Sequence, residues 1–317
     1  MSQAPPGAAA VAVIAGPTAS GKSALALGLA DAFGGAVINA DALQCYRDLR
    51  VLTARPGPAE EARAPHRLYG YLDAAERGSA ASWRLRAMEE IDNAARAARL
   101  PIVVGGTGLY LKALCCGLAP IPDIPSDISA EAAALHRRLG GGAFRDRLVA
   151  LDPDSARLKP GDRQRLIRAF EVVQATGLSL SAWQRRQPSP PPYRFAALLL
   201  MPPRDRLYPA IDARFAEMVA AGGIDEAAAL AARNLDPNLP AMKAVGVPEL
   251  LRYLRGELSL AEAVAAGQQA TRHYAKRQMT WFRHQLNPDR VFNEQFSESL
   301  LRCSRHFIDR FLLTPSP

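Results

Sequence analysis

The sequence predicts an α/β fold, a parallel sheet with helices on both faces and an inserted helical domain, and three observations predict it. Short apolar runs alternate with helical patterns through the first third of the chain. One such run is followed at once by a glycine-rich loop of the form G-x-x-x-x-G-K-[ST]. A further apolar run, FAALLLM (195–201), returns only after a long stretch of different character. Strands alternating with helices specify parallel strands joined by crossover helices.

The first run is AVAVIAG (10–16), and a helical pattern starts at Lys22. AVINAD (36–41) is the second run, and a helix near Ser82 to Arg99 follows. PIVVGG (101–106) is the third, with a helix from Thr107. The segment between that helix and residue 195 opens with a proline-rich hinge, APIPDIPS (119–126), and closes with another, QPSPPP (187–192). Helix cannot propagate through either, so residues 120–194 read as a helical insertion. Residues 1–119 and 195–317 form the α/β core. After Met201 the chain reads as helix throughout, with Leu207, Ile211, Phe215 and Met218 on one apolar face. Ser259 and Glu262 form a capping box ahead of a helix running to about Gln285.

Composition narrows the function classes. The 317-residue chain is 49% hydrophobic and 22% charged, ordinary for a globular protein and unlike a disordered one. The start has no basic leader, and no run approaches the roughly 20 apolar residues of a membrane span. A cytoplasmic protein is expected. Four cysteines, Cys45, Cys115, Cys116 and Cys303, have neither metal-site spacing nor the density of a disulfide scaffold, and read as reduced, packed thiols. Thirty-nine Lys and Arg against 31 Asp and Glu give a net charge of +8, which favours a polyanionic partner.

GPTASGKS (16–23) is the most specific signal, since such a motif arises by chance in about one chain per hundred of this length. Preceded by a strand and opening a helix, the loop of Gly16, Pro17, Thr18, Ala19, Ser20, Gly21, Lys22 and Ser23 turns its backbone N–H groups toward an anion. Lys22 neutralises phosphate oxygens, and the Ser23 hydroxyl is suited to ligate Mg²⁺. The motif specifies a di- or triphosphate but no chemistry, and alone it would point to ATP.

Asp41 ends the second strand, where open parallel sheets place their ligand crevice. It is either a general base, a Mg²⁺ holder through water, or a solvated capping residue. In GGTGLY (105–110) Thr107 is either a helix cap or a crevice residue. Residues 263–288 contain no acidic side chain, while Arg272, Lys276, Thr280 and Arg283 fall on one helical stripe. The stripe suits a phosphate backbone or is a solvated face; Trp281 and Phe282 suit core packing or base stacking. DRQRLIR (162–168) is a second basic element, with Gln164 and Arg168 on one face and Leu166, Phe170 and Val173 on another.

With these residues in view, the chain resembles the tRNA dimethylallyltransferases, or tRNA isopentenyltransferases. The resemblance rests on GPTASGKS (16–23), INADALQCYRDLRVLTARP (38–56), GGTGLYLKAL (105–114), DRQRLIRAFEV (162–172) and KRQMTWFR (276–283). It implies a P-loop NTPase-like core, dimethylallyl diphosphate as donor, and adenosine 37 beside the anticodon of tRNA as acceptor, giving N6-dimethylallyladenosine. It further implies Asp41 as general base, Thr107 near the acceptor base, and Arg214 with the loop and Mg²⁺ on the leaving diphosphate. The tRNA-contacting segments it implies are Asp41, Ala42, Leu43 and Gln44; Gln164, Arg165, Leu166, Ile167 and Arg168; and Lys243, Ala244, Val245, Gly246, Val247 and Pro248. To these it adds Lys276, Arg277, Gln278, Met279, Thr280, Trp281, Phe282 and Arg283, which Arg272 joins from the basic stripe, a clamp on the anticodon stem-loop by a monomer. Ala42 stands where the family commonly has Ser, and residues 286–317, with only Cys303 and His306, cannot build the zinc finger of some eukaryotic relatives. Two readings compete: a small-molecule or nucleotide kinase, and a nucleotide-gated RNA-binding protein.

Overall fold

The computed structural model describes residues 8–186 and 191–314 and divides the chain into two units: residues 1–116 with 190–317, and residues 117–189. The insertion was expected at 120–194, so both boundaries fall a few residues earlier, and positions 187–190 of the second hinge lie outside the described residues.

The first unit is built on one six-stranded sheet, all parallel. Its strands are β1 (Ala9–Ala15), β2 (Ala36–Asn39), β3 (His66–Arg67), β4 (Pro101–Gly105), β5 (Tyr193–Leu200) and β6 (Arg290–Phe292), in the order β3-β2-β4-β1-β5-β6. Besides the single turn Pro58–Glu61, the helices are α1 (Lys22–Phe33), α2 (Ala80–Arg96) and α3 (Gly108–Cys116) in the first half. The insertion supplies α4 (Ser126–Leu151), α5 (Arg163–Thr176) and α6 (Leu180–Arg185). After β5 come α7 (Arg204–Met218), α8 (Ile224–Ala232), α9 (Val247–Leu254), α10 (Leu260–Gln285) and α11 (Glu298–Leu313). The two edge strands escaped the sequence reading, and β6 corrects the expectation of helix throughout after Met201. At two and three residues neither edge is long enough to show a period.

Alternation along the central strands sorts the core. Val11, Val13, Ala15, Val103, Ala197 and Leu199 face one side, where they pack with Trp83 and Ile91 of α2, Leu111 of α3, Ile211 of α7 and Met279 and Phe282 of α10. Ala12, Ile14, Ile102, Val104, Leu198 and Leu200 face the other, against Leu25 and Leu29 of α1 and Leu300 and Ile308 of α11. Strands covered on both faces read as continuous apolar runs rather than as an alternating pattern, which is why the central four were visible in the sequence.

In the second unit, Ala132, Leu135, Phe144, Leu148, Leu166, Ala169 and Phe170 form a separate core. Gly140, at φ 73°, breaks α4. Gly177, at φ 69°, ends α5 in the left-handed conformation usual for a helix stop.

Candidate active site at the carboxyl ends of the central strands

Three neighbouring strands, β2, β4 and β1, deliver the candidate residues to one end of the sheet, where parallel α/β sheets collect ligands. The loop after β1 turns through two left-handed residues, Ala19 (φ 62°) and Gly21 (φ 84°). A side chain at position 21 would be strained and would meet the Phe296 backbone, 2.9 Å from its Cβ, so glycine is required there. The loop is strapped from outside: Gln295 Nε2 donates to Ala19 O (3.1 Å) and Phe296 N–H to Ser20 O (3.3 Å). Lys22 Nζ donates to Pro17 O (3.3 Å). Burial lowers its pKa to about 8, with Asp41 pulling it up and Arg214 pushing it down. Ser23, in the first turn of α1, is exposed.

Asp41 lies two residues past the end of β2 and is held through its backbone. Fully buried Asn39 accepts from the Asp41 N–H at Oδ1 (2.8 Å) and donates from Nδ2 to Asp41 O (3.0 Å) and Leu68 O (3.0 Å). The Asp41 carboxylate accepts from Leu43 N–H at 3.1 Å. The segment after β4 leans on the same loop: Thr107 N–H donates to Ala40 O (3.2 Å), and Ala42 N–H donates to Thr107 Oγ1 (2.9 Å). Having accepted one bond, the Thr107 hydroxyl keeps a proton to donate. Tyr274 of α10 is its side-chain neighbour, and burial raises that phenol well above its ordinary range.

Gln278 joins the two loops. Its Oε1 accepts from Thr18 N–H (2.9 Å) and its Nε2 donates to Gly106 O (3.0 Å). A Cβ at Gly106 would sit 2.2 Å from that amide nitrogen, and a Cβ at Gly108 only 2.1 Å from the Trp281 ring, so the glycines of the turn admit α10 at close range.

Thr18, Ala19, Asp41, Arg214 and Tyr274 line a cleft whose remaining wall is largely apolar: Leu43, Leu52, Ile211, Phe215, Met218 and Val245. Ile211, Arg214, Phe215 and Met218 recur at the spacing of one helical face, so α7 offers a single cation within an apolar stripe. Burial lowers the Arg214 guanidinium's pKa, while Asp41 works in the opposite direction. The arrangement suits a ligand with an anionic head and a short hydrocarbon tail, beside a carboxylate able to take a proton.

The segments expected to touch tRNA divide sharply. Lys276, Arg277, Thr280 and Arg283 are exposed on α10, and among the described residues none of the three cations has a carboxylate within salt-bridge range. Arg272 does not join them, because it pairs with Asp212 of α7. Gln278, Met279 and Phe282 are buried, and Trp281 packs on Gly108, so half of this block belongs to the core. In the insertion Gln164, Arg165 and Arg168 are exposed, with the arginines beside Asp162 and Glu171; Leu166 is buried and Ile167 packs against that core. Of residues 243–248, Lys243 and Pro248 are exposed, Ala244, Gly246 and Val247 are buried, and Val245 lines the cleft. Gln44 spends its amide on the Thr53 and Ala54 carbonyls. Of the cysteines, all free, Cys116 and Cys303 are exposed rather than packed.

Sequence reasoning missed Asn39, Tyr274, the Gln295–Phe296 strap and the role of the apolar wall. Ile211, Phe215 and Met218 had a visible signal, the shared apolar face of α7, and Leu43 and Val245 were expected among the tRNA contacts.

Residues 44–285 match the IPP transferase family model. The chain belongs to that family. It is 59% identical to the tRNA dimethylallyltransferase of Rhodospirillum centenum over 89% of this chain and 91% of the relative. It is 54% identical to that of Rhodospirillum rubrum over 98% and 97%. The tRNA isopentenylpyrophosphate transferase of Bacillus halodurans superposes with a TM-score of 0.70 at 33% identity, covering 96% of each chain. A eukaryotic dimethylallyltransferase solved acting on tRNA superposes at 0.80 with 26% identity, covering 95% of this chain and 80% of that one. The chain is accordingly a prenyl-transferring enzyme with a P-loop NTPase-like core, and tRNA is its class of substrate. No helix among the described residues is long and apolar enough to cross a membrane.

Proposed function

We propose that this enzyme transfers the dimethylallyl group of dimethylallyl diphosphate to N6 of adenosine 37 in the anticodon stem-loop of tRNA. The observation that carries the reading is the mixed lining of one cleft, where Thr18 and Ala19 of the loop, Asp41 and Arg214 stand beside the apolar Leu43, Leu52, Ile211, Phe215, Met218 and Val245. A nucleotide kinase would need room there for a base and ribose rather than for a hydrocarbon.

In the reaction the allylic C1–O bond breaks and its electron pair leaves with the diphosphate. The adenine N6 forms the new bond to C1, and the N6 proton passes to the Asp41 carboxylate. The exocyclic amine is a poor nucleophile because its lone pair is delocalised into the ring, so removing its proton as the bond forms lowers the barrier. Charge gathering on the diphosphate is met by Lys22, Arg214 and the loop amides, dipoles already oriented before reaction. The Thr107 hydroxyl, in the segment after β4 that leans on the Asp41 loop, hydrogen-bonds the acceptor base.

Among the described residues no cluster of three or more His, Cys, Asp and Glu could cage a metal. The exposed Ser23 hydroxyl at the head of α1 fits Mg²⁺ brought with a diphosphate: it would hold the ion, and the ion would supply neutralisation of leaving-group charge.

A stacked adenine cannot bring its N6 to a half-buried carboxylate lining a cleft, so the base is flipped from the anticodon loop, where unstacking costs less than in a duplex. Lys276, Arg277 and Arg283 hold the RNA backbone. We take the enzyme to act as a monomer in the cytoplasm, where the free thiols suit a reducing compartment.

Unmodified tRNA incubated with the protein, dimethylallyl diphosphate and Mg²⁺, then digested to nucleosides, should yield N6-dimethylallyladenosine mapped to position 37. Unmodified adenine, with folded protein present, would overturn the reading.

A further inference from the structure

The apolar wall carries a statement about the length of the donor. Phe215 lines the cleft on the helical turn next to Arg214, and it is buried to 3% exposure. Behind its ring lies backbone rather than side chain. An ideal Cβ on Gly267, inside α10, would sit 2.1 Å from Phe215 Cζ, and one on Gly246 would sit 2.8 Å from Cε2. Gly246 is also at φ +95°, where any side chain is strained. Glycine in a helix interior lowers helix propensity, so Gly267 is a local sacrifice that the aromatic ring explains. The two glycines together form a seat for one phenyl ring, and the ring in that seat is part of the apolar lining of the cleft.

We infer that Phe215 is a specificity-determining residue that limits the enzyme to a five-carbon allylic diphosphate. This rests on the proposed function, because it takes the cleft to be the donor site. With the diphosphate at the loop and Arg214, the prenyl tail lies along Ile211, Phe215 and Met218, a wall one helical face long. A ten-carbon donor would have to occupy the volume of the Phe215 ring. Exclusion by a rigid wall is expected to exceed the roughly 10- to 200-fold discrimination that a single methylene provides.

The test measures transfer to tRNA from dimethylallyl and from geranyl diphosphate in separate reactions, with wild-type protein, Phe215→Ala, Phe215→Leu and Gly267→Ala. Wild type should use the five-carbon donor and give no measurable geranyl product. Phe215→Ala should gain geranyl transfer, narrowing the preference by about tenfold or more, with the same bonds made and broken. Phe215→Leu, the milder change should the alanine variant not fold, should shift in the same direction. Gly267→Ala acts in reverse, pushing the ring toward the cleft, and should raise KM for dimethylallyl diphosphate while tRNA affinity stays unchanged. A folded Phe215 variant that transfers the five-carbon group with its preference unaltered would overturn the inference and leave the proposed function standing. Wild-type protein inactive with the five-carbon donor would instead bring down the proposed function itself.

Discussion

The loop Gly16–Ser23 and the helix α10 both stood out as sequence blocks, yet they use their residues differently. In the loop the backbone shapes the site, through two left-handed residues and a helix start, and only Lys22 and Ser23 add side chains to it. In α10 the side chains are the instrument, and a helix must turn half of them inward. Lys276, Arg277, Thr280 and Arg283 point out, while Gln278, Met279 and Phe282 are buried. A motif on a loop can be carried over whole, whereas a motif on a helix must first be divided by face. Gln278 is the join between the two regions, because its amide bonds a loop N–H on one side and Gly106 O on the other.

The comparison can be broken most severely at the carboxylate the loop serves. Asp41→Asn should lower kcat about 10²- to 10⁴-fold, the usual worth of a general base, while tRNA and donor affinities stay within a few-fold. A variant that loses tRNA binding instead would make Asp41 a binding residue. Lys22→Ala removes the cation of the loop, and kcat/KM for the donor should fall about 10²- to 10³-fold at unchanged tRNA affinity.

Gln278→Ala sharpens the inner half of the comparison. It strips partners from Thr18 N–H and Gly106 O, and each unpaired buried group costs about 1–3 kcal/mol, readable by urea unfolding and accompanied by a higher donor KM. Were Gln278 an RNA contact, stability would hold and only tRNA affinity would drop.

The Lys22 pKa of about 8 carries two opposite signs with pH. Above about pH 8 the ammonium loses its proton, so donor affinity should fall by up to about tenfold per pH unit. For folding, the depressed pKa means the unfolded chain binds more protons between about 8 and the ordinary value of 10.5, so the contribution of this group to stability rises across that window. Donor titrations and urea melts at pH 7.5 and 9.5, compared with Lys22→Met, separate the two; donor affinity that does not respond to pH would place the charge elsewhere. On the outer face of α10, Lys276→Gln should leave stability within about 0.5 kcal/mol and reduce the salt slope of tRNA binding by about one.

The legible part of the molecule was whatever repeats or requires a special backbone. β1, β2, β4 and β5 read as apolar runs because they are covered on both faces, and GPTASGKS and GGTG read as turns because their glycines have no substitute. β6 and β3 did not, since three exposed or half-exposed residues such as Arg290, Val291 and Phe292 have no period. Gln278 was expected to touch tRNA because the resemblance carries its whole block, and only the fold shows that it is buried with backbone groups of two loops as partners. The apolar wall was partly visible as the face of α7. That Phe215 borders a cleft depends on Gly246 and Gly267, which meet it from distant parts of the chain.

The central claim is that the loop holds a leaving diphosphate while its partner, the prenyl group, goes to adenine. A donor labelled both at the allylic C1 and in the diphosphate, reacted with tRNA and the folded protein, tests it directly. The account predicts carbon label on adenine N6 with an equal amount of labelled diphosphate released and none on the RNA. Phosphate label on the acceptor, or released diphosphate without alkylated adenine, would contradict it.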